Sequence, residues 1–200
     1  MRFLRLILIF ITSFTAFVAV AATPAADPLQ VLRDAVDEVL VIVYSGQTRT
    51  QPFSALVRPV MEKNFSFDLI TRRAVGPGWR QFTPAQQAKT TALFTELVIH
   101  AYADRFEAGA QPSITYAAPV ELSSNKRELP TTINYAGKKY SVAYRMELVA
   151  DQWRVCDVII EGVSMISNYR AQFDPMFQRD GANGIMRSLE EKITQVSPVK

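Results

Sequence analysis

The side chains in this chain that could do chemistry are few. They are the carboxylates Asp157 and Glu161, the serine of Gly162-Val163-Ser164, the single histidine His100 and the single cysteine Cys156. Asp157 and Glu161 are close in sequence, and a buried carboxylate with a raised pKa can serve as a general base. The plainer reading is that Asp157 bonds a neighbouring main-chain group or an arginine at a sheet edge. Gly162-Val163-Ser164 has the start of a nucleophile elbow, but Ile166 stands where G-x-S-x-G requires its second glycine. Ser164 then reads as a helix N-cap, its hydroxyl free to bond an orphan amide of the first turn. A triad or a metal site needs histidine together with partners, and His100 sits alone inside a long helical run, so its expected role is structural. Cys156 lies in an apolar strand, as a buried thiol acting as a small hydrophobe, and a lone cysteine forms no internal disulfide. Neither G-x-G-x-x-G nor a P-loop occurs. No catalytic residue, metal or nucleotide cofactor is expected, and the chain is not read as an enzyme.

The elements that carry these residues follow from periodicity. Trp153–Ile160 is β-branched and aromatic-rich, which suits a strand. Glu161-Gly162 breaks it, and from Ser164 the apolar spacing turns helical through Met165 or Ile166, Tyr169 and Phe173. Upstream, a first helix is expected over Asp27–Val43, with Asp27 as cap and Pro28 at the tolerated first position. Others are expected over Pro52–Lys63 and Asp68–Val75, before Gly76-Pro77-Gly78 forces a break. Thr83-Pro84 opens the longest helix, reaching about Phe106 and closing near Gly109. Its broad stripe of Leu93, Phe94, Leu97, Val98, Ala101, Tyr102 and Phe106 should face a sheet or a cavity. From Gln111 the period is two: Ile114, Tyr116 and Ala118, then a polar turn over Ser123–Glu128, then Thr131, Ile133 and Tyr135. Ala136-Gly137 makes a hairpin into Tyr140, Val142, Tyr144, Met146 and Leu148, which give one apolar and one wet face. A last helix is expected over about Gly184–Gln195. Helices, then consecutive antiparallel strands, then helices argue an α+β fold, a twisted antiparallel sheet covered by helices.

Composition narrows the function further. Arg2 and Arg5, an apolar run from Leu6 to Val18 and Ala19-Val20-Ala21 have the layout of a signal peptide over residues 1–21. Cleavage there leaves 179 of the 200 residues and takes the 22 basic residues to 20, against 19 acidic, a net of +1. With no basic block remaining, nucleic acid is not an expected partner. The mature chain, 22–200, is read as one domain: helix-rich 27–108, sheet 111–160 and C-terminal helices 164–195.

The stretch W-R-V-C-D-V-I-I-E-G-V-S-M-I-S-N-Y-R-A-Q-F, Trp153 to Phe173, resembles the signature of the MlaC, or toluene-tolerance auxiliary, family. The closing G-x-x-G-I-x-x-x-L of Gly181–Leu189 is similar too. The resemblance implies an NTF2-like sheet plus helical subdomain enclosing an apolar lipid pocket. It implies a periplasmic phospholipid carrier that shuttles lipid between outer and inner membranes and so maintains outer-membrane lipid asymmetry. Its implied partners are an inner-membrane MCE-domain ABC transporter complex (MlaFEDB-like) and an outer-membrane MlaA–porin-like complex, with phospholipid the carried ligand. On face and motif position, the expected lining is Tyr140, Val142, Tyr144 and Met146 as the sheet wall and Phe94, Val98 and Tyr102 as the helical wall. Val163 and Ile166 are expected where strand becomes helix. Trp153, Asp157 and Gly162 are assigned to structure, Gly162 for its small size. Exposing two acyl chains of about fifteen methylenes each would cost about 24 kcal/mol, so a carrier must enclose the tails and leave the charged headgroup in solvent. The alternative is a small-molecule enzyme or binding module on an NTF2-like scaffold.

Overall fold

A computed structural model of the chain describes residues 26–44, 52–103 and 111–196. The expected leader over residues 1–21, the helix stop at Ser45-Gly46 and the long helix's last turn near Phe106 and Gly109 lie outside the described residues.

Helix α1 (Pro28–Tyr44) starts where Asp27-Pro28 predicts, the Leu29 amide donating to the Asp27 carboxylate at 3.1 Å. Helices α2 (Phe53–Asn64) and α3 (Phe67–Val75) follow, and a 3-10 turn over Gly76–Gln81 occupies the Gly-Pro-Gly break. Helix α4 (Pro84–Ala103) opens with a reciprocal capping box. The Gln86 amide donates to Thr83 Oγ1 at 3.3 Å, and the Thr83 amide to Gln86 Oε1 at 2.9 Å.

Six strands then form one antiparallel sheet: β1 (Ser113–Tyr116), β2 (Val120–Ser123), β3 (Lys126–Tyr135), β4 (Lys138–Val149), β5 (Gln152–Ile160) and β6 (Val163–Ser164). Their order is β1-β3-β4-β5-β6, with β2 beside the other half of β3. Ala136-Gly137 (φ 49° and 75°) and Ala150-Asp151 (φ 47° and 61°) close the β3–β4 and β4–β5 hairpins, left-handed pairs whose twist matches that of the strands. The expected turn over Ser123–Glu128 is corrected. Only Ser124-Asn125 turn, because β2 pairs with Lys126–Glu128 and draws them into the ladder. Helix α5 (Met165–Val196) is two helices meeting at Gly181, whose φ of 61° breaks the run three residues before the expected start of the last helix.

The helices gather beside β5. Its outer edge takes Phe65 in a parallel bridge to Val155, with the Ser66 amide donating to the Val155 carbonyl at 2.9 Å. One apolar cluster is built mainly by the helices, on Ile70, Phe94, Val98, Phe173, Ile185 and Leu189. The second joins α1 to the sheet through Leu32, Leu129, Met146, Trp153 and Val155. This corrects the expected facing of α4 and β4. The α4 stripe is taken up by α5, α3 and α2, and α1 is the helix laid on the sheet. Mixed helix and antiparallel sheet is the observed class, as expected.

An apolar cleft at the open end of the sheet

Strand register assigns one face of the sheet. Thr131 pairs with Val142 and Ile133 with Tyr140 across β3–β4. Val142 pairs with Ile160 across β4–β5, and Ile160 with Val163 across β5–β6. Since side chains two apart share a face, Ile133, Tyr140, Val142, Ile160 and Val163 form one apolar surface, with Ile114 beside Ile133 on β1. The same face continues inward to Leu129 and Tyr144, then to Met146, Trp153 and Val155 beneath Leu32. A bulge on β5 keeps the alternation in phase: Arg145 pairs with Asp157 but Met146 with Val155, so Cys156 is the extra residue.

Cover over this face is uneven. Leu129 and Met146 are buried under α1, whereas Tyr140 is 37% and Val163 60% exposed. Between them Val142 is buried and Ile133, Ile160 and Tyr144 are half-buried. Helix α1 forms the opposite bank. Its Arg33 guanidinium lies 4.3 Å from the Tyr116 ring centre, and Tyr44 lies close enough to Tyr135 for the two phenols to interact electrostatically. A cavity of about 300 Å³ opens at this bank, lined by Asp37, Leu40, Val41, Tyr44 and Gln111. Val41 is 68% exposed. The depth of the face is apolar enough that burial pushes the Tyr144 phenol up to about 12, with a smaller contribution from the Tyr116 phenol. Tyr144 is therefore neutral at any physiological pH.

The turn from sheet to helix is held by the two carboxylates, each with a structural task. Asp157 Oδ1 accepts the Ile166 amide at 3.1 Å and Oδ2 accepts the Ser164 hydroxyl at 2.6 Å, with Arg145 at 3.6 Å. Ser164 Oγ in turn accepts the Ser167 amide at 3.1 Å, so it is the N-cap expected of it. Glu161 accepts the Ser141 amide at 2.6 Å and donates its own amide to the Ser141 carbonyl at 2.9 Å. Asp157 and Glu161 thus serve separate main-chain sites and form no acid–base pair. Gly162 is needed for its φ of 79° instead of its small size, since a Cβ there would meet nothing within 4 Å.

The expected lining residues separate into three places. Tyr140, Val142 and Val163 line the uncovered end, and Tyr144 and Met146 lie deeper on the same face. Phe94, Val98 and Ile166 belong to the helical cluster, where Phe94 packs edge-on against Tyr169 at 4.7 Å and Phe173 at 5.5 Å. The side chain of Tyr102 lies outside the described residues. Ile114, Ile133, Ile160 and Val41 were not among the expected lining. The hairpin at Ala136-Gly137 carried the signal for Ile133, because a two-residue turn there sets it opposite Tyr140.

Elsewhere, Cys156 is buried, and burial pushes its thiol up. Burial alone would raise the Glu96 carboxyl, but hydrogen bonds from Arg58 and His100 hold it below its usual range; His100 Nε2 is 2.7 Å away. Among the described residues no group of three or more His, Cys, Asp or Glu is placed to hold a metal ion. No helix among them is long and apolar enough to cross a membrane.

Residues 33–191 match the family described as MlaC protein. No curated protein matches the chain. Among solved structures the chain is similar to a phospholipid-binding protein from Ralstonia solanacearum, determined in complex with a phospholipid. The two are 25% identical, the match covers 86% of this chain and 99% of that one, and the TM-score is 0.77.

Proposed function

Since the chain belongs to the MlaC family, we propose that it binds phospholipid and carries it through the periplasm between the outer and inner membranes. The observation that carries this reading is the apolar end of the sheet, where Val163 and Tyr140 remain uncovered above a buried Val142. Exposed apolar area of this kind is costly unless something occupies it. The likeness to a chain bound to phospholipid supports an acyl chain as that occupant. Tyr140, Val142 and Val163 form the mouth in this reading, with Tyr144 and Met146 along the floor. The tails lie along this face and reach inward beneath α1, while Phe94, Val98 and Ile166 stay packed in the helical cluster. The headgroup stays outside, since burying an unpaired phosphate is expensive.

Carriage needs no covalent step. Tails partition reversibly into the cleft, and any energy coupling lies with membrane partners: an inner-membrane MCE-domain ABC transporter complex and an outer-membrane lipoprotein–porin complex. A leader over residues 1–21 would bring the chain to the periplasm, and lipid asymmetry of the outer membrane would be the outcome.

The deciding experiment is native mass spectrometry of protein purified from periplasm without detergent, followed by lipid extraction. A stoichiometric added mass that resolves into diacyl phospholipid is expected. A clean apo mass that persists after incubation with phospholipid vesicles overturns the reading.

A further inference from the structure

The tip of the β3–β4 hairpin projects from the same end of the sheet as the cleft mouth. Its residues run Tyr135-Ala136-Gly137-Lys138-Lys139-Tyr140. Register pairs Tyr135 with Lys138 and Asn134 with Lys139. Both lysines are exposed, and neither has a hydrogen-bond or ion-pair partner among the described residues. The basic residues at the opposite end of the same strands are engaged. Lys126 pairs with Glu147 at 3.6 Å, Arg127 with Glu121 at 3.5 Å and Arg145 with Glu128 at 2.9 Å. The one carboxylate that the register sets near the tip, Glu161, is turned onto the Ser141 amide. Moving inward from the tip on the cleft face, the side chains pass from Lys138 and Tyr135 to Tyr140 and Ile133, then to Val142.

This ordering sets the basic groups outermost, where lysines are drawn to anionic headgroups and tyrosines suit headgroup level, and recesses the aliphatic residues behind them inside the cleft, where a transferred tail would lie. We propose that this hairpin tip is a docking surface for a bilayer containing anionic phospholipid. Docking there sets the cleft mouth against the headgroups, so that a tail passes from bilayer to cleft with little exposure to water. Charge complementarity selects the occupant: two exposed lysines without a carboxylate partner among the described residues favour an anionic surface. The proposal deepens the carrier reading and rests on it for its purpose.

The test is flotation of the full chain with two sets of vesicles, phosphatidylcholine alone and phosphatidylcholine mixed with phosphatidylglycerol. Binding to the mixed vesicles is expected to exceed binding to neutral ones and to be lost at about 1 M salt, where screening reaches only about 3 Å. The K138Q/K139Q variant is expected to bind mixed vesicles about thirtyfold more weakly, with the same phospholipid mass in native spectra as the parent. Equal binding of the parent to both vesicle types, or undiminished binding by the variant, overturns the proposal. Absence of a bound lipid mass in both proteins would instead count against the carrier reading and leave the vesicle comparison to judge docking by itself.

Discussion

The helical cluster and the cleft face of the sheet are built from the same kinds of side chain and treat water in opposite ways. Around Phe94 and Phe173 the rings meet edge-on, and Ile70, Ile185 and Leu189 close the remaining sides. That cluster has consumed its apolar surface in packing against itself. The sheet face starts in the same condition at Leu129 and Met146, because α1 lies on it, and then runs out from under its cover to Tyr140 and Val163. A helix covers a strip about 10 Å wide, whereas β1, β3, β4, β5 and β6 present a broader surface at this end. One region is finished by its own fold; the other is finished only when something else lies on it.

Truncation separates the two regions most sharply. Phe173→Ala should cost about 3–5 kcal/mol of unfolding free energy, because it opens a cavity inside a closed cluster. Val163→Ser should leave stability within about 0.5 kcal/mol while removing copurifying phospholipid. Denaturant unfolding, read beside lipid extraction, tests both. A large loss of stability in the Val163 variant would mean that the open end is ordinary core.

The joint between the regions should respond next. Asp157→Ala removes the acceptor for the Ile166 amide and the Ser164 hydroxyl and should cost about 1.5–3 kcal/mol, the range for bonds to a charged group. Lipid binding should persist in whatever fraction folds. If instead stability is unchanged and lipid is lost, Asp157 belongs to the site and not to the joint.

The smallest effect is expected at the surface of the helical cluster. Glu96 is held low by Arg58 and His100 against the pull of burial. A depressed carboxyl adds stability above its unfolded pKa and loses it as pH falls through the folded one. Melting temperature should therefore fall on acidification below the ordinary carboxylate range, and Glu96→Gln should flatten that fall. Parallel acid profiles for the two proteins would show that the Arg58–Glu96–His100 group contributes nothing. Lipid content should not change, since the sheet face carries no part of this network.

Local chemistry was legible wherever one residue or turn decides the backbone. Asp27-Pro28, Thr83-Pro84 and Ser164 each cap the helix that follows, and Ala136-Gly137 closes a hairpin at the place its composition suggests. The alternation of Tyr140 to Leu148 marked the apolar face of β4 correctly. Strand β2 was not legible because Val120-Glu121-Leu122-Ser123, though alternating, is only four residues long and is bounded by the polar run that suggests a turn. Gly162 was legible as the break that ends the Trp153–Ile160 strand, whereas the split of the last long helix at Gly181, with its φ of 61°, was not.

What sequence alone determined here is which residues are apolar, with what period, and where the chain must turn, since these depend on neighbours within a few positions. It could not choose which helix lies on the sheet. The stripes of α1 and α4 both suit that place, and the choice is made by long-range pairing. Phe65 bridges to Val155, drawing α2 and α3 to the edge of β5. Helix α4 then packs on those helices and α5, leaving the sheet face to α1. The cleft is what that choice leaves uncovered, which is why its position is a property of the tertiary structure.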